Sequence, residues 1–444
     1  MKVVINGAGF VNKGAEAMAR TVQTELARRL PDCEFFLWRP TQRDCRPALN
    51  GGFSPFQLPF DRKNEFWSWS RGRRFGLLFW SLLELGRTWD FRNIHAAFAP
   101  GRRLGRACGC YLRRSGVDFG VLVDISGFAY GDAWGTGDFR RIEPLMEYFR
   151  STGRPVVFMP QAWGAFDEPP VRQALRQLLG HENTSFYSRD ERSCRYLEQA
   201  LEKPAGSVSV TPDIVFGFQG GTLDQGEHLL RNMGCALGRP IVGLAPNVRA
   251  YERASGKGMR NSYLQALVKL VEHCQSNHEI DMVLQANEIA SADDQLDDRY
   301  LCSLIAAKIN NPRRCFMTRE SLTAEATKAL VGRFDYLIGS RFHSLVFAFS
   351  QGVPGMGLGW SHKYRELFSL FGMEDRVQEC QQSHPEALIE MFEKGWAERK
   401  ERREHILKKA KQLQEGVTAL FDEVAEKIRG RYAHKKARDD EGHR

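Results

Sequence analysis

Apolar and polar positions alternate along this chain in two distinct periods, and the order in which the periods follow one another predicts the fold. Short runs rich in Val, Ile, Phe and Leu at 2–6, 34–38, 119–125, 155–159, 185–188 and 208–210 have the length of buried strands. Between them, segments at 13–30, 138–150, 171–179 and 190–201 place apolar residues at helical spacing. Such βα alternation predicts a parallel sheet covered on both faces. The stretch Gly217–Glu227, GFQGGTLDQGE, then breaks the pattern and is expected to be a hinge. The alternation restarts with strands at 240–244, 280–284, 315–317, 335–338 and 354–358, so two doubly wound Rossmann-like domains are predicted. The expected division is 1–217, a linker 218–238, a second domain 239–384, a helical tail 385–431 and a disordered end from 432 to 444. The tail is assigned from Ile406, Ala410, Leu413, Val417, Leu420, Val424 and Ile428, which recur every three or four residues.

Length agrees with this division, since 444 residues exceed what one hydrophobic core usually holds. Ten cysteines are scattered without metal-ligand spacing, which predicts reduced thiols and no metal. The first residues, MKVVINGAG, look like a strand entering a glycine turn rather than an export signal. The longest apolar stretch, Phe75 to Leu85, is too short to span a bilayer. A cytoplasmic protein is therefore expected. The net charge of +9 matches the excess in residues 62–114 alone, where twelve Lys or Arg face three acids and interleave with Trp67, Trp69, Phe75, Phe79, Trp80 and Trp89. This combination suits an inner-leaflet membrane surface. Its alternative is a core helix with a solvated arginine rim, and no nucleic-acid motif accompanies it.

Candidate chemistry gathers where strands end. The turn Asn6–Glu16 follows a strand and opens a helix, so Gly9, Asn12, Gly14 and Glu16 are candidates to hold an anionic or polar ligand; a tight turn without ligand is the alternative. Ser340, Arg341 and His343 follow the strand at 335–338 and precede an apolar helix. With Ser340 as the expected N-cap, Arg341 and His343 fall in the first turn, as an oxyanion contact and an acid; the alternative is a structural salt bridge and a core hydrogen bond. Arg189, Asp124, Gln161 and Lys363 are added because each lies just beyond a strand, where open α/β sheets bind ligands.

These residues together resemble a family. The N-x-G-x-E-A turn at Asn12–Ala17, R-D-E-x-S at Arg189–Ser193, T-P-D at Thr211–Asp213, and R-x-H with Gly352, Pro354 and Lys363 are similar, in the same order, to the polysaccharide pyruvyltransferases. The resemblance covers roughly residues 1 to 375. It implies a fold like that of two-domain GT-B glycosyltransferases, and transfer of pyruvyl from phosphoenolpyruvate to two hydroxyls of one sugar, forming a cyclic ketal and releasing phosphate. The acceptor it implies is a glycan or a lipid-linked saccharide, with no cofactor beyond phosphoenolpyruvate as co-substrate. Under that resemblance Arg189 and Arg341 would clamp carboxylate and phosphate, His343 would be the acid, and Asp124 or Glu16 the base. A nucleotide-sugar glycosyltransferase is the alternative of equal architecture. Ala15 before Glu16 and Ser126-Gly127-Phe128 depart from the family pattern and leave open a catalytically degenerate glycan-binding member.

Overall fold

A computed structural model describes residues 1–56, 112, 118–289, 297–318, 320–380 and 384–441. The basic aromatic segment at 62–114, with its membrane reading, lies outside the described residues except for Leu112, which is buried.

Two wholly parallel sheets form. The first has seven strands, β1 (Lys2–Asn6), β2 (Glu34–Trp38), β3 (Phe53–Phe56), β4 (Phe119–Asp124), β5 (Val156–Gln161), β6 (Thr184–Ser188) and β7 (Ser209–Val210), in the order β3-β2-β1-β4-β5-β6-β7. The second has six, β8 (Ile241–Ala245), β9 (Asp281–Leu284), β10 (Cys315–Met317), β11 (Tyr336–Gly339), β12 (Gly355–Gly359) and β13 (Val377–Glu379), in the order β10-β9-β8-β11-β12-β13. Every residue of β4, β5, β8, β9, β11 and β12 is buried, which is why these strands read as unbroken apolar runs. Chain order reverses at β1/β4 in one sheet and at β8/β11 in the other, the two places where such sheets open a crevice beyond their carboxyl ends.

Helices cover both sheets: α1 (Lys13–Arg29), α2 (Gln42–Asn50), α3 (Gly137–Thr152), α4 (Pro169–Leu179), α5 (Glu191–Leu201), α6 (Leu223–Asn232), α7 (Val248–Arg253), α8 (Ser262–Asn277), α9 (Asp298–Ala306), α10 (Ala324–Val331), α11 (Phe342–Phe349), α12 (His362–Ser369) and α13 (Pro385–Glu441). Asp190 caps α5 by accepting from the Ser193 amide at 2.7 Å. Thr222 and Gln225 form a capping box on α6. Much of the segment expected as a hinge and linker is therefore helix, and its glycines serve packing. A Cβ on Gly226 would lie 2.2 Å from the Ala329 carbonyl oxygen, so α6 and α10 approach backbone to backbone there. Helix α13 continues to Glu441, past the point at which polar composition predicts disorder.

The chain divides into two compact units that cross the sequence order. One comprises Met1–Ala8, Leu26–Val210 and Phe421–Arg444; the other comprises Gly9–Glu25 and Thr211–Leu420. The core of the first includes Phe119, Leu122, Phe158 and Trp163, and that of the second Leu244, Leu267, Ile338 and Phe392. No described helix is long and apolar enough to cross a membrane.

Candidate functional site

In the second unit, the residues 9–25 bring the glycine turn to the carboxyl end of β9. Asn12 pairs with Glu288 in an isolated antiparallel bridge, the Lys13 amide donates to the Asn287 carbonyl at 3.0 Å, and the Ile289 amide donates to Val11 at 3.0 Å. Asn12 caps α1, its Oδ1 accepting from the amides of Gly14 (2.9 Å) and Ala15 (3.3 Å). Gly14 then sits against His343: a Cβ there would lie 2.0 Å from the imidazole Nδ1. The N-x-G spacing is thus explained by one residue that holds the turn and one that leaves room for a ring.

His343 lies in the first turn of α11, half-buried, with Nε2 3.7 Å from Asp213 Oδ2. Asp213 is buried and fixed, because its Oδ1 accepts from the Val215 amide at 2.9 Å and caps the short turn Ile214–Gly217. That separation is an ion-pair distance rather than a hydrogen bond, and it sets a carboxylate beside one nitrogen of the ring. The T-P-D motif therefore contributes a functional side chain that positional reasoning about strand ends overlooks.

Arg341 is the N-cap of α11, and Ser340 precedes it. Ser340 instead knits three strand ends together: its Oγ accepts from the Tyr263 hydroxyl at 2.6 Å, and its carbonyl accepts from Asn247 Nδ2 (2.8 Å) and the Tyr364 hydroxyl (2.7 Å). Being fully buried and engaged from several sides, it is not available as a cap. The Arg341 guanidinium is committed as well. Nη1 lies 2.5 Å from Glu288 Oε2 and Nη2 lies 2.6 Å from Asp298 Oδ1. Burial disfavours its charge, but Asp298 and Glu288 more than offset this and hold it firmly protonated. Asp298 also accepts from the amides of Val248, Asn287 and Glu288 at 3.2, 3.2 and 2.8 Å, and burial raises its carboxyl. The arginine is thus the centre of a buried ion-pair network that ties the loops after β8, β9 and β11 together.

Glu16 lies on α1 and pairs with Lys13 at 3.1 Å, while Lys13 Nζ also donates to the Phe10 carbonyl at 2.7 Å. Burial raises the Glu16 carboxyl, with Lys13 pulling the other way. Gly9 is half-buried in the turn. Lys363 follows β12, with Nζ 5.4 Å from the centre of the Phe342 ring, and Phe342 packs edge-on against His343 at 5.2 Å. The second unit accordingly gathers Asn12, Gly14, Glu16, Ser340, Arg341, His343 and Lys363.

Asp124, Gln161 and Arg189 belong to the first unit. Asp124 is fully buried at the end of β4, and five donors converge on it: Gln161 Nε2 (2.6 Å) and the Ser126 amide (3.0 Å) on Oδ1, and Asn6 Nδ2 (2.6 Å), the Tyr130 hydroxyl (2.9 Å) and Ser126 Oγ (3.2 Å) on Oδ2. Burial raises its carboxyl against the pull of those bonds. A carboxylate offers about four lone-pair sites, so this one is saturated by the chain itself. It organises the ends of β1, β4 and β5. Gly7, with φ of +82°, completes the arrangement, since a Cβ would lie 2.5 Å from Ser126. Arg189 follows β6, where its Nε donates to the Pro160 carbonyl at 2.9 Å and its amide to Gln161 at 3.0 Å. No group of three or more His, Cys, Asp or Glu among the described residues has metal-binding geometry.

Two parallel, doubly wound sheets with a long C-terminal helix define the GT-B class of α/β fold, the fold of many glycosyltransferases. The chain matches the family of polysaccharide pyruvyl transferases over residues 12–362, and it belongs to that family. Its fold is similar to a glycosyltransferase from Rickettsia africae ESF-5 (TM-score 0.57, 10% identity, covering 96% of this chain and 98% of that one). It is also similar to an α,α-trehalose 6-phosphate synthase from Burkholderia multivorans (TM-score 0.57, 11% identity, 99% and 98%) and to a UDP-GlcNAc 2-epimerase from Neisseria meningitidis (TM-score 0.54, 11% identity, 96% and 100%). No curated protein matches it in sequence. The family makes the protein a transferase of polysaccharide modification.

Proposed function

We propose that the protein transfers pyruvyl from phosphoenolpyruvate to two hydroxyls of one sugar, in a cell-surface polysaccharide or its lipid-linked precursor, at the cytoplasmic face of the membrane. The observation that carries this reading is His343: a half-buried imidazole in the first turn of a helix, with Asp213 3.7 Å away and room given by Gly14, inside the region matched to the family.

His343 protonates the methylene carbon of the enol phosphate and leaves C2 electron-poor. The first sugar hydroxyl forms a bond to C2 and returns its proton to the now neutral imidazole, so one residue serves as acid and then base. The C2–O bond to phosphate breaks, with the electron pair leaving on oxygen. The second hydroxyl closes the ketal and its proton departs with phosphate. Arg341 acts by positioning, through Glu288 and Asp298. Asp124 takes no proton in this scheme because its oxygens are already occupied.

Phosphate release from phosphoenolpyruvate, measured against a panel of free and lipid-linked glycans, tests the reading. A responsive acceptor is expected, with release falling at least about 100-fold in His343→Gln, the scale of a lost general acid. Wild-type turnover in that variant, or heat stabilisation by a nucleotide sugar but not by phosphoenolpyruvate, overturns it.

A further inference from the structure

At the end of α11 away from His343, helix α13 presents a predominantly basic surface. Residues 399–411 carry seven Lys or Arg against two acids, Glu401 and Glu404. Two of the arginines are occupied: the Arg399 guanidinium carbon lies 3.7 Å from the centre of the Trp396 ring, and Arg402 pairs with Glu398 at 3.4 Å. Lys400, Arg403, Lys408 and Lys411 are exposed, and among the described residues no carboxylate comes within ion-pair distance of them. Lys400, Arg403, Leu407 and Lys411 recur every three or four residues, so they line one stripe of the helix about 16 Å long. Ile406, Ala410 and Leu413 take the buried side.

An apolar side chain stands in the middle of that stripe, since Leu407 is 51% exposed. Its backbone neighbour is the end of α11: a Cβ on Gly352 would lie 3.2 Å from the Leu407 Cβ and 3.6 Å from the Arg403 Cγ. On the other side of the same helix end, a Cβ on Gly332 would lie 2.4 Å from Gln351 Oε1 and 3.1 Å from Leu223 Cδ2. Leu223 is 50% exposed. Two half-exposed leucines therefore flank the end of one helix. The acids nearest to them in sequence, Asp224 and Glu404, are outnumbered by Lys400, Arg403, Lys408 and Lys411. All of these residues belong to the second unit.

We propose that this face, the stripe from Lys400 to Lys411 with Leu407 and Leu223, docks on an anionic lipid surface. Long basic side chains keep their charged ends among headgroups while leucine enters the acyl boundary behind them. Lysine is depleted from the cores of protein–protein interfaces, which argues against a protein partner. A phosphate backbone offers leucine nothing apolar to bury against, which argues against nucleic acid. The face goes beyond the reaction proposed above, and its geometry rests on no part of that reading; a lipid-linked acceptor would give it a purpose. Helix α11 spans eight residues, about 12 Å, so the imidazole in its first turn stands roughly that far from the docked face.

Co-sedimentation of the full chain with vesicles of phosphatidylcholine alone, and of phosphatidylcholine mixed with phosphatidylglycerol, reads this directly. The wild type should bind the mixed vesicles and leave them as salt is raised. Each basic residue at an anionic leaflet is worth roughly fivefold in binding, so the quadruple variant Lys400→Gln, Arg403→Gln, Lys408→Gln and Lys411→Gln should weaken it at least about 100-fold. Its melting temperature should not change. Removing as many exposed charges elsewhere in the second unit, by Arg239→Gln, Lys257→Gln, Lys308→Gln and Arg313→Gln, should cost less than about fivefold. Leu407→Ser should lose about fivefold, the scale of burying half a leucine. Phosphate release from phosphoenolpyruvate with a free glycan should be the same in the quadruple variant as in the wild type, so docking and the pyruvyl reaction can fail independently. A quadruple variant that sediments like the wild type, or a loss matched by the control variant, overturns the proposal. So does a wild type that binds neutral vesicles as well as anionic ones, or that binds a DNA duplex but neither kind of vesicle.

Discussion

At the scale of single residues, the site depends on what each side chain is packed against. Two residues separated by one position, Arg341 and His343, meet different fates: the first is enclosed by carboxylates, the second packs its ring where a side chain on Gly14 would otherwise be. Gly14→Ala puts this to a test. Its backbone is not in the left-handed region, so any effect comes from the clash with the imidazole. Activity should fall about 100-fold, because catalytic geometry tolerates little displacement, and unfolding should become easier by about 1–3 kcal/mol. In a His343→Ala background the same change should be nearly neutral for stability, and equal costs in both backgrounds would refute the contact. The R-x-H pattern made both residues visible, and Lys363 with them. It could not assign Arg341 its role, since Glu288 and Asp298 lie 53 and 43 residues earlier, at a distance that no local spacing rule reaches.

At the scale of elements, period and length revealed most of what formed. Strands buried on both faces leave an unmistakable apolar run, so the alternation of β4, β5, β8, β9, β11 and β12 with helices was legible. Glycine misled, because its two uses look alike in a sequence. In GFQGGTLDQGE it reads as freedom; in the structure Gly226 permits close contact between α6 and α10. Substitution separates the two uses. Gly→Ala in a helix ordinarily stabilises by about 0.5–1 kcal/mol, whereas Gly226→Ala should destabilise by roughly 1–3 kcal/mol through overlap with the Ala329 carbonyl. Chemical denaturation provides the sign, and a gain in stability would mean that the helices are not in close contact.

At the scale of the whole molecule, buried charge shapes the response to pH. Lys328 on α10 is buried, donates to the Phe218 carbonyl at 2.6 Å, and has its ammonium lowered by burial from an ordinary 10.5 to about 8. Below about pH 8 both the folded and unfolded chains carry the proton, and the desolvation cost is present in full. Between about 8 and 10.5 the unfolded chain holds a proton that the folded one has released, so folding stability rises with pH. Urea melts across that window should show the wild type gaining on Lys328→Met; a constant difference would contradict the assignment. Whole-molecule organisation was the least legible level, because hydrophobic patterning records which segments are buried and not which segments they are buried with. Two α/β units could be read, but not that residues 9–25 are counted with a unit whose remainder starts at Thr211.

That path through the sequence bears on synthesis. Asn12 and Gly14 leave the ribosome more than three hundred residues ahead of the imidazole they accommodate. A polypeptide started at Thr211 would contain every strand of the second sheet and still lack the wall against which its histidine rests. The turn made early must therefore wait for the helix made late, and the reactive centre cannot exist before His343 has emerged.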